Sequence, residues 1–326
     1  MNVLLVKHFV ENMNELLPDV IAELKKIGSE HRHQLVHDLK PGFKHKLWTL
    51  GKPTVVISFR PIKCFKPDWA EIWQQEWLTK AQEYEWLEAF GIPVPKWKLV
   101  TKDRMPDLSD FDEFVVVKPA SGAFGAMVRV CKKSRITWQP LEIKKNKTVS
   151  NAMIVQEFIY TGPWPSIYRV GTCFGEPYYT WRVTADRSRE PFDESKIGSD
   201  FFAGKTIVST SKGCTKDTNV PEEVLELARR THRAFPTIPL LGTDMVRDYK
   251  TGKLYVLEVN ASGGHFHLTS ETFTNIKENF DIDLRKQFGG AKAVAQGIYR
   301  RLNENGKTQK TNCLQPQPAR EEAASC

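Results

Sequence analysis

Two carboxylates and one amide in the C-terminal half are the side chains best suited to chemistry: Asp244, Glu258 and Asn260. They fall in a pattern that predicts a β-hairpin, with strands over residues 241–247 and 253–260. The second strand is rich in β-branched and aromatic residues, which favour an extended backbone. The three oxygen-bearing side chains are therefore expected to converge at one end of this hairpin.

The turn of this hairpin contains Thr251 and Gly252, and glycine accepts the positive φ that tight turns need. Centring the turn there sets Asp244 opposite Glu258 to within one residue, and alternation places Asn260 on the same face. Opposed carboxylates repel unless a cation lies between them. Oxygen ligands suit Mg²⁺, which completes its shell with substrate phosphates. The alternative is a surface hairpin whose acids face water, but the apolar run around Glu258 favours the metal site.

Charge and composition narrow the class of protein. The chain has 326 residues and a formal net charge of +8, with an ordinary globular balance of 26% charged and 40% hydrophobic residues. This charge suits an anionic ligand such as a nucleotide, while the lack of a long basic run or of a nucleic-acid-binding motif disfavours nucleic acid. Six cysteines without CxxC spacing, no signal-peptide pattern and no membrane-length apolar run predict a cytoplasmic protein with free thiols and no membrane contact.

A glycine-rich stretch supplies a second candidate site for anions. Predicted strands over residues 114–118 and 127–130 flank a loop of small residues, where backbone N–H groups can approach phosphate oxygens. Lys118, at the end of the first strand, adds a point charge. Because this lysine precedes the glycines and a strand follows the loop, the pattern is not a Walker A loop, and an ordinary glycine-rich hairpin fits it equally well. The loop residues are Ser121, Gly122, Ala123, Phe124 and Gly125.

Longer periodic segments are expected to position these groups. Residues 14–39, 68–90 and 280–302 have helical spacing, and the second of these helices carries Lys80 and ends at Gly91. Residues 151–159 predict a buried strand that ends in Gln156, Glu157, Phe158 and Ile159. His31, His33 and His37 lack a nearby third metal ligand of clear type and are read as solvent-facing or modestly functional. His265 and His267 could line a substrate site, but ordinary loop residues are the favoured reading.

Residues 167–183 predict a second hairpin, with its turn at Gly175 and Glu176. That turn sets Arg169 opposite Arg182. Like charges directly opposite each other destabilise a sheet unless an anion lies between them, and two guanidinium groups could hold a phosphate or a carboxylate. A polar face that meets water, with both side chains splayed apart, explains the pattern equally well.

Taken in order, these features resemble the ATP-grasp superfamily, and most closely its RimK-type carboxylate–amine ligases. The order is a lysine helix, GIPVP, VKPASGAFG, QEFI, two arginines, and GTDM followed by LEVN, over about residues 80–302. The resemblance implies an α/β (α+β) fold in which two α+β subdomains grip ATP. It implies an ATP-grasp domain (76–302). The patterns before it predict a small N-terminal α/β region (1–75), and the polar composition after it predicts a disordered tail (303–326).

The resemblance also implies roles for single residues. Lys80, eleven residues before Gly91, and Lys118 match phosphate-binding lysines, and residues 156–159 match the segment that holds adenine. The glycine loop would close as a lid, and residues 200–211 fall where the family has a loop on the substrate side. Arg169 and Arg182 match arginines that hold the reacting carboxylate or its acyl phosphate. The Mg²⁺ ligands, with Mn²⁺ as an alternative ion, would be Asp244, Glu258 and Asn260.

The implied activity is ATP-dependent amide formation from a carboxylate and an amine, each from a small molecule, a peptide or a protein tail. Two other readings stay open: a kinase that phosphorylates a hydroxyl, and a non-catalytic nucleotide-binding module, which the complete set of lysines and metal ligands disfavours. The chain departs from the family in two ways. Ala261-Ser262-Gly263-Gly264 follows Asn260 where Asn-Pro-Gly or Ser-Pro-Gly is common, and the residues before Lys80 lack an obvious parallel-strand pattern.

Overall fold

The computed structural model describes residues 1–8, 12–28, 30–39, 47–121, 128–138, 141–143, 148–150, 152–188, 191–192, 214–262 and 267–308. Several predicted features lie outside these residues. They are Gly122, Ala123, Phe124 and Gly125 of the glycine loop, the segment 200–211, His265, and the tail after residue 308. In the described part of the chain, no helix combines the length and the apolar character needed to cross a membrane.

The chain begins with a four-stranded parallel sheet, which corrects the expectation that this region lacks parallel strands. Its strands are β1 (Asn2–Lys7), β2 (Arg32–His37), β3 (Thr54–Ser58) and β4 (Glu71–Gln74). They lie in the order β2-β1-β3-β4, and every neighbouring pair is parallel. The two central strands, β1 and β3, are buried on both faces, as short apolar runs in parallel sheets usually are.

The helix predicted over residues 14–39 is wrong in its second half. Helix α1 (Leu16–Lys26) buries its apolar stripe against the parallel sheet. The chain then turns at Gly28, where φ is 81°, and continues as β2. Only two residues of β2, Leu35 and Val36, are apolar, because β2 is an edge strand with mostly half-buried side chains. A weakly alternating edge strand of this kind is hard to distinguish from a fraying helix by sequence alone.

The helix predicted over residues 68–90 also begins later than expected. Helix α2 (Lys80–Ala89) starts with a capping box, in which the Thr79 hydroxyl accepts the Gln82 N–H and the Gln82 side chain accepts the Thr79 N–H. Residues 71–74 are β4 instead. Trp73 and Trp77 have helical spacing, yet Trp73 is fully buried against the parallel sheet while Trp77 is 75% exposed.

The middle of the chain forms an antiparallel sheet. Its strands are β5 (Trp97–Thr101), β6 (Phe114–Pro119), β7 (Arg129–Lys132) and β10 (Ala152–Glu157). Between β7 and β10 the chain forms a separate short hairpin of β8 (Leu141–Ile143) and β9 (Thr148–Ser150). The sheet order is β5-β10-β6-β7. The predicted strands on both sides of the glycine loop, and the strand around residues 151–159, are confirmed.

A second antiparallel sheet follows, in the order β13-β12-β11-β14-β15. Its strands are β11 (Ser166–Cys173), β12 (Glu176–Ala185), β13 (Cys214–Asp217), β14 (Leu240–Arg247) and β15 (Leu254–Asn260). Helix α3 (Glu222–Arg233) covers one face. Helices α4 (Glu271–Phe280) and α5 (Ala291–Thr308) pack on the other face, which carries Tyr179 and Trp181.

The predicted mixed α/β class is confirmed by the four sheets and the α-helices of the described residues. The C-terminal helix differs from its prediction. The segment 280–302 is not one helix, because α4 ends at Phe280 and the chain turns through Asp281 at a φ of 54° before α5 begins. Helix α5 then continues to Thr308, past residue 303, where the tail is predicted to begin.

Candidate active site

Asp244 on β14 and Glu258 on β15 lie directly opposite each other, as the hairpin pattern predicts. The connecting turn contains Gly252 at a φ of 73°. A β-bulge follows on β15, where Leu257 is the extra residue between the pairs formed by Asp244 and Met245. Bulges re-aim the side chains beside them and leave a backbone group outside the ladder. The two carboxylates thus meet where the sheet is locally irregular.

Two rows of side chains cross this sheet on the same face, because residues two apart on a strand point the same way. The first row reads Trp181, Arg169, Asp244 and Glu258 on β12, β11, β14 and β15. The second row, two residues further along, reads Tyr179, Gly171, Gly242 and Asn260. The first row therefore carries both predicted carboxylates and one arginine. The second has two glycines between its polar ends.

Each carboxylate of the first row is held by a basic side chain. Arg169 donates from Nε and Nη2 to the two carboxylate oxygens of Asp244, a bidentate pair. Lys80, the first residue of α2, places its Nζ 2.7 Å from Glu258 Oε1. The Arg169 guanidinium also lies over the Trp181 ring, 5.7 Å from its centroid. Two adjacent carboxylates thus lie between an arginine and a lysine, and the four side chains come from four different elements.

Burial and these neighbours set the ionisation of the two acids. Burial raises the pKa of Asp244 above its ordinary value, although Arg169 opposes that shift. Burial also works against ionisation of Glu258, but the Lys80 and Lys118 ammonium groups outweigh it and hold the Glu258 pKa below its usual value. The Lys80 pKa is raised, because Glu258 and Glu83 together outweigh the effect of burial. The protonation state of each of these groups therefore depends on the charges of its neighbours.

Asn260 is the third residue of the predicted metal-ligand set, and its side-chain amide has room for a further polar partner. Its Nδ2 is buried and finds no hydrogen-bond partner among the described residues, and the same holds for the Tyr179 hydroxyl in the same row. A Cβ added at Gly242 would lie 3.3 Å from the Tyr179 oxygen and 3.3 Å from the Asn260 Cβ. Because amide nitrogen and oxygen are assigned from the hydrogen-bond network, Asn260 can present either atom. The two carboxylates and this amide oxygen suit Mg²⁺.

Lys118, at the end of β6, contacts the β14–β15 hairpin both directly and through Tyr84, a residue that the sequence did not single out. Its Nζ donates to the Tyr84 hydroxyl at 2.7 Å and to the Leu257 carbonyl at 3.2 Å. Burial and the nearby Lys80 lower the pKa of Lys118 to about 8. Both of these contacts are with uncharged groups, and burying an ammonium group without a counter-ion is costly. An anion bound beside Lys118 would therefore be stabilised.

Glu83 is a second residue that sequence reasoning missed. It is buried on α2 beside Lys80 and Lys118, and burial raises its pKa to about 8, so it is mainly protonated at neutral pH. Lys80, Glu83 and Tyr84 have the i, i+3 and i+4 spacing that places side chains on one face of a helix. A sequence analysis that placed the start of α2 at Lys80 could have grouped these three residues by their spacing.

A pocket of about 240 Å³ opens beside this cluster. Its wall includes Lys118, Asp244 and Glu258, and it is largely apolar elsewhere, with Val116 and Val246 among its lining residues. The predicted adenine segment also lines it: Gln156, Glu157, Phe158 and Ile159. Lys80 and Arg169 stand behind the two carboxylates rather than in the wall. Ser121, the only described residue of the glycine loop, follows directly after β6 and its neighbour Ala120.

The predicted pairing of Arg169 with Arg182 is wrong. Arg169 lies opposite Trp181, and Arg182 lies opposite Tyr168, so the two arginines point to opposite faces of the sheet. Arg182 stacks over the Tyr168 ring and donates to the Ser166 hydroxyl at 3.2 Å. The register differs by one residue from the prediction.

The shift in register has a local cause. The hairpin turn is at Phe174 and Gly175, one residue earlier than expected, with φ values of 45° and 84°. Two positive φ values are typical of the type I′ turn that suits two-residue hairpins. The earlier turn alone lowers the sum of paired residue numbers by two, which would keep the two arginines on one face. A bulge between Gly171 and Thr172, where Tyr178 is the extra residue, then shifts the register by one and puts them on opposite faces.

No protein-family model matches the sequence, and no curated protein matches it. Solved structures resemble the chain in shape at low sequence identity. A D-alanine–D-alanine ligase from Bacillus anthracis is 14% identical, with a TM-score of 0.46, over 93% of this chain and 99% of that one. The ATP-grasp ligase PsnB in complex with a minimal precursor is 13% identical, with a TM-score of 0.49, over 92% of this chain and 98% of that one. A RimK-domain ATP-grasp protein from Sphaerobacter thermophilus DSM 20745 is 13% identical, with a TM-score of 0.46, over 91% of this chain and 99% of that one.

Proposed function

We propose that this chain is an ATP-grasp protein, an ATP-dependent ligase that joins a carboxylate to an amine. The observation that carries the proposal is the row of Arg169, Asp244 and Glu258, which Lys80 extends at one end and which lies at the edge of an apolar pocket. In this arrangement the basic side chains can bind phosphate oxygens, and the carboxylates can then bind a divalent cation. The order of sequence motifs described above supports the same family.

The pocket suits a nucleotide base. Its apolar wall, which includes Val116, Val130, Val246 and Leu257, offers the flat contact surface that a purine ring needs. Backbone and side-chain polar groups of residues 156–159 are available at the same wall. Lys118 lies at the boundary between this apolar part and the two carboxylates, where phosphates would follow the base.

The charge of the site favours an anion. Three cationic side chains, Lys80, Lys118 and Arg169, lie beside two acids, and Asp244 and Glu258 each form an ion pair with one of them. Glu83 adds no charge at neutral pH, since its pKa is about 8. One positive charge is therefore in excess within a largely buried site, and triphosphate oxygens would stabilise it.

Asp244, Glu258 and Asn260 are the residues that would hold Mg²⁺, or Mn²⁺ in its place. Phosphate oxygens that take over Lys80 and Arg169 would release the two carboxylates for this role. A divalent cation at this position neutralises charge that develops on the transferred phosphoryl group.

In the proposed reaction, an oxygen of the substrate carboxylate attacks the γ-phosphorus of ATP, and the bond to the β-phosphate oxygen breaks to release ADP. The amine then attacks the acyl carbon of the acyl phosphate, which expels inorganic phosphate and a proton and leaves an amide. Lys80 and Lys118 hold the phosphates, and Arg169 holds the reacting carboxylate beside them. Most of the rate gain would come from positioning two anions that repel each other in water.

ADP release by the full chain with Mg-ATP tests the proposal. A panel of carboxylates is assayed with and without a panel of amines, and products are weighed by mass spectrometry. ADP release that needs both partners, with an amide product, supports the ligase. ADP release with a hydroxyl compound alone, giving a phosphate ester, contradicts it in favour of a kinase. ATP binding without ADP release in any combination favours the non-catalytic module.

A further inference from the structure

The Tyr84 hydroxyl joins three elements behind the wall of the pocket. Tyr84 lies on α2 and is buried, with its ring 5.3 Å from the Trp97 ring between centroids. Its hydroxyl contacts Lys118 on β6, Gln156 on β10 and Leu257 on β15. Those three partners line the pocket. Any influence of Tyr84 on a ligand therefore acts through them.

The hydroxyl has one proton to donate and two acceptors within reach. Its oxygen lies 2.5 Å from the Leu257 carbonyl and 3.1 Å from Gln156 Oε1, so the proton belongs to the shorter contact. The Lys118 ammonium donates to the same oxygen at 2.7 Å. The hydroxyl thus donates to a backbone carbonyl and accepts from a lysine at the same time.

The Gln156 amide fits this arrangement when its two ends are exchanged. As placed, its Nε2 is buried without a partner among the described residues. Amide ends are assigned from the hydrogen-bond network, so Nε2 can occupy the position near Tyr84 and donate to the hydroxyl oxygen. That orientation removes an unsatisfied buried donor, which is costly to leave without a partner.

The Leu257 carbonyl is the backbone group at the bulge beside Glu258. It accepts from Tyr84 and from Lys118, and thus finds partners away from the sheet ladder. The bulge is what places Glu258 opposite Asp244 while the next pair along the hairpin is shifted. One hydroxyl therefore connects the lysine of the nucleotide pocket to the local geometry of the carboxylate pair.

We infer that Tyr84 is a positioning residue of the nucleotide site, whose hydroxyl fixes the Lys118 ammonium against the Leu257 bulge. This inference rests on the proposed function, since it assigns Tyr84 a part in ATP binding through Lys118. A purely structural Tyr84 would act through its ring alone. Tyr84→Phe separates the two roles, because it keeps the ring against Trp97 and removes only the hydroxyl.

A double-mutant cycle on ATP affinity tests the inference. The dissociation constant of Mg-ATP is measured by calorimetry for the unsubstituted chain, Tyr84→Phe, Lys118→Met and the double variant. Tyr84→Phe is expected to weaken binding about tenfold, as loss of a hydrogen bond to a charged group does. In the Lys118→Met background the same change should have little further effect, because the hydroxyl acts through the lysine.

Tyr178→Phe is the matched control. Tyr178 is a buried tyrosine of the core that packs against Tyr179, and removing its hydroxyl should leave ATP affinity unchanged. Melting curves establish that each variant is folded at the temperature of the titration, and the cycle compares affinities of folded protein only. Full affinity in Tyr84→Phe, or losses that multiply in the double variant, would overturn the inference. Failure of the unsubstituted chain to bind ATP would contradict the proposed function itself.

Discussion

Asp244 and Glu258 face each other across β14 and β15, and a base from a different element neutralises each: Arg169 from β11 and Lys80 from α2. Removing one member of a buried ion pair leaves the other charge uncompensated, which is costly. A ligand that enters this site must therefore supply new partners for the acids and the bases together. Mg-ATP does so, because it brings cationic and anionic groups at once.

Glu258→Gln should lower turnover by about 10³-fold, because the amide cannot supply the negative charge that a divalent cation needs. The fold should persist, because the glutamine amide oxygen can still accept a hydrogen bond from Lys80 and this position is 32% exposed. Turnover is measured as ADP release, and folding by circular dichroism and the melting temperature.

Glu223→Gln is the control for that change. Glu223, on α3, forms an ion pair with Arg247 at the end of β14, and its side chain is 60% exposed to solvent. Its activity should match that of the unsubstituted chain. A Glu258→Gln variant with normal turnover and a normal melting curve would remove Glu258 from the metal site.

ATP affinity should fall as the pH rises above about 8. Lys118 has a pKa of about 8 in the free protein, well below its ordinary value, so it is charged below that pH and loses its charge above it. Phosphate binding favours the protonated lysine, and the affinity should drop by up to tenfold per pH unit in this range. Lys118→Arg should abolish much of this decline, because a guanidinium stays charged.

Glu83 contributes to the same limb of the pH profile. It is mainly neutral below a pKa of about 8 and adds a negative charge above it, which also disfavours phosphates. Glu83→Gln is neutral at every pH, so it should match the unsubstituted chain at pH 7 and retain more affinity at pH 9. Titration calorimetry at several pH values measures both effects. A flat profile between pH 7 and 9 in the unsubstituted chain would contradict the assignment.

The two arginines should behave differently, since they lie on opposite faces of the sheet. Arg169→Gln should lower kcat by about 10²-fold or more, because Asp244 loses its bidentate partner and the reacting carboxylate loses its anchor. Arg182→Gln should change kcat little. Steady-state kinetics of the two variants test this prediction. Equal losses of kcat would instead indicate that both arginines bind the same anion.

Gly171→Ala should destabilise the protein by about 3 kcal/mol. A Cβ at Gly171 would lie 2.0 Å from the Tyr179 ring, which crosses the sheet above this glycine. Tyr179→Ala removes the clash but leaves a cavity, so the double variant should lose less stability than the sum of the two single changes. Urea denaturation measures the free energy of unfolding, and strictly additive losses would show that the ring is free to move aside.

The β14–β15 hairpin and the position of Lys118 could be predicted because short-range signals determine them. Gly252 marks the turn, and the β-branched run after it marks the strand, so counting residues brings Asp244 to within one residue of Glu258. The bulge at Leu257 then sets the two acids directly opposite each other. Lys118 likewise ends a strand of valines that pairs as expected. At these positions local propensity and tertiary structure agree.

The arginine register could not be predicted, because it depends on a β-bulge at which Tyr178 is an extra residue between the pairs Thr172–Pro177 and Gly171–Tyr179. The left-handed Phe174 moves the turn by one residue, which alone would keep both arginines on one face. The extra residue of the bulge is what exchanges the faces of the strand. Tyr84 and Glu83 were missed for a different reason. Their importance comes from contacts with β6, β10 and β15, which are distant in sequence.

The central claim is that a carboxylate is activated as an acyl phosphate before an amine attacks it. Once the substrate pair is known from ADP release, the carboxylate is labelled with ¹⁸O and the released inorganic phosphate is analysed by mass spectrometry. One ¹⁸O atom should appear in the phosphate for each amide formed, because the carboxylate oxygen that attacks the γ-phosphorus leaves with it. Phosphate that carries no label, with amide formed in the same reaction, would contradict the account.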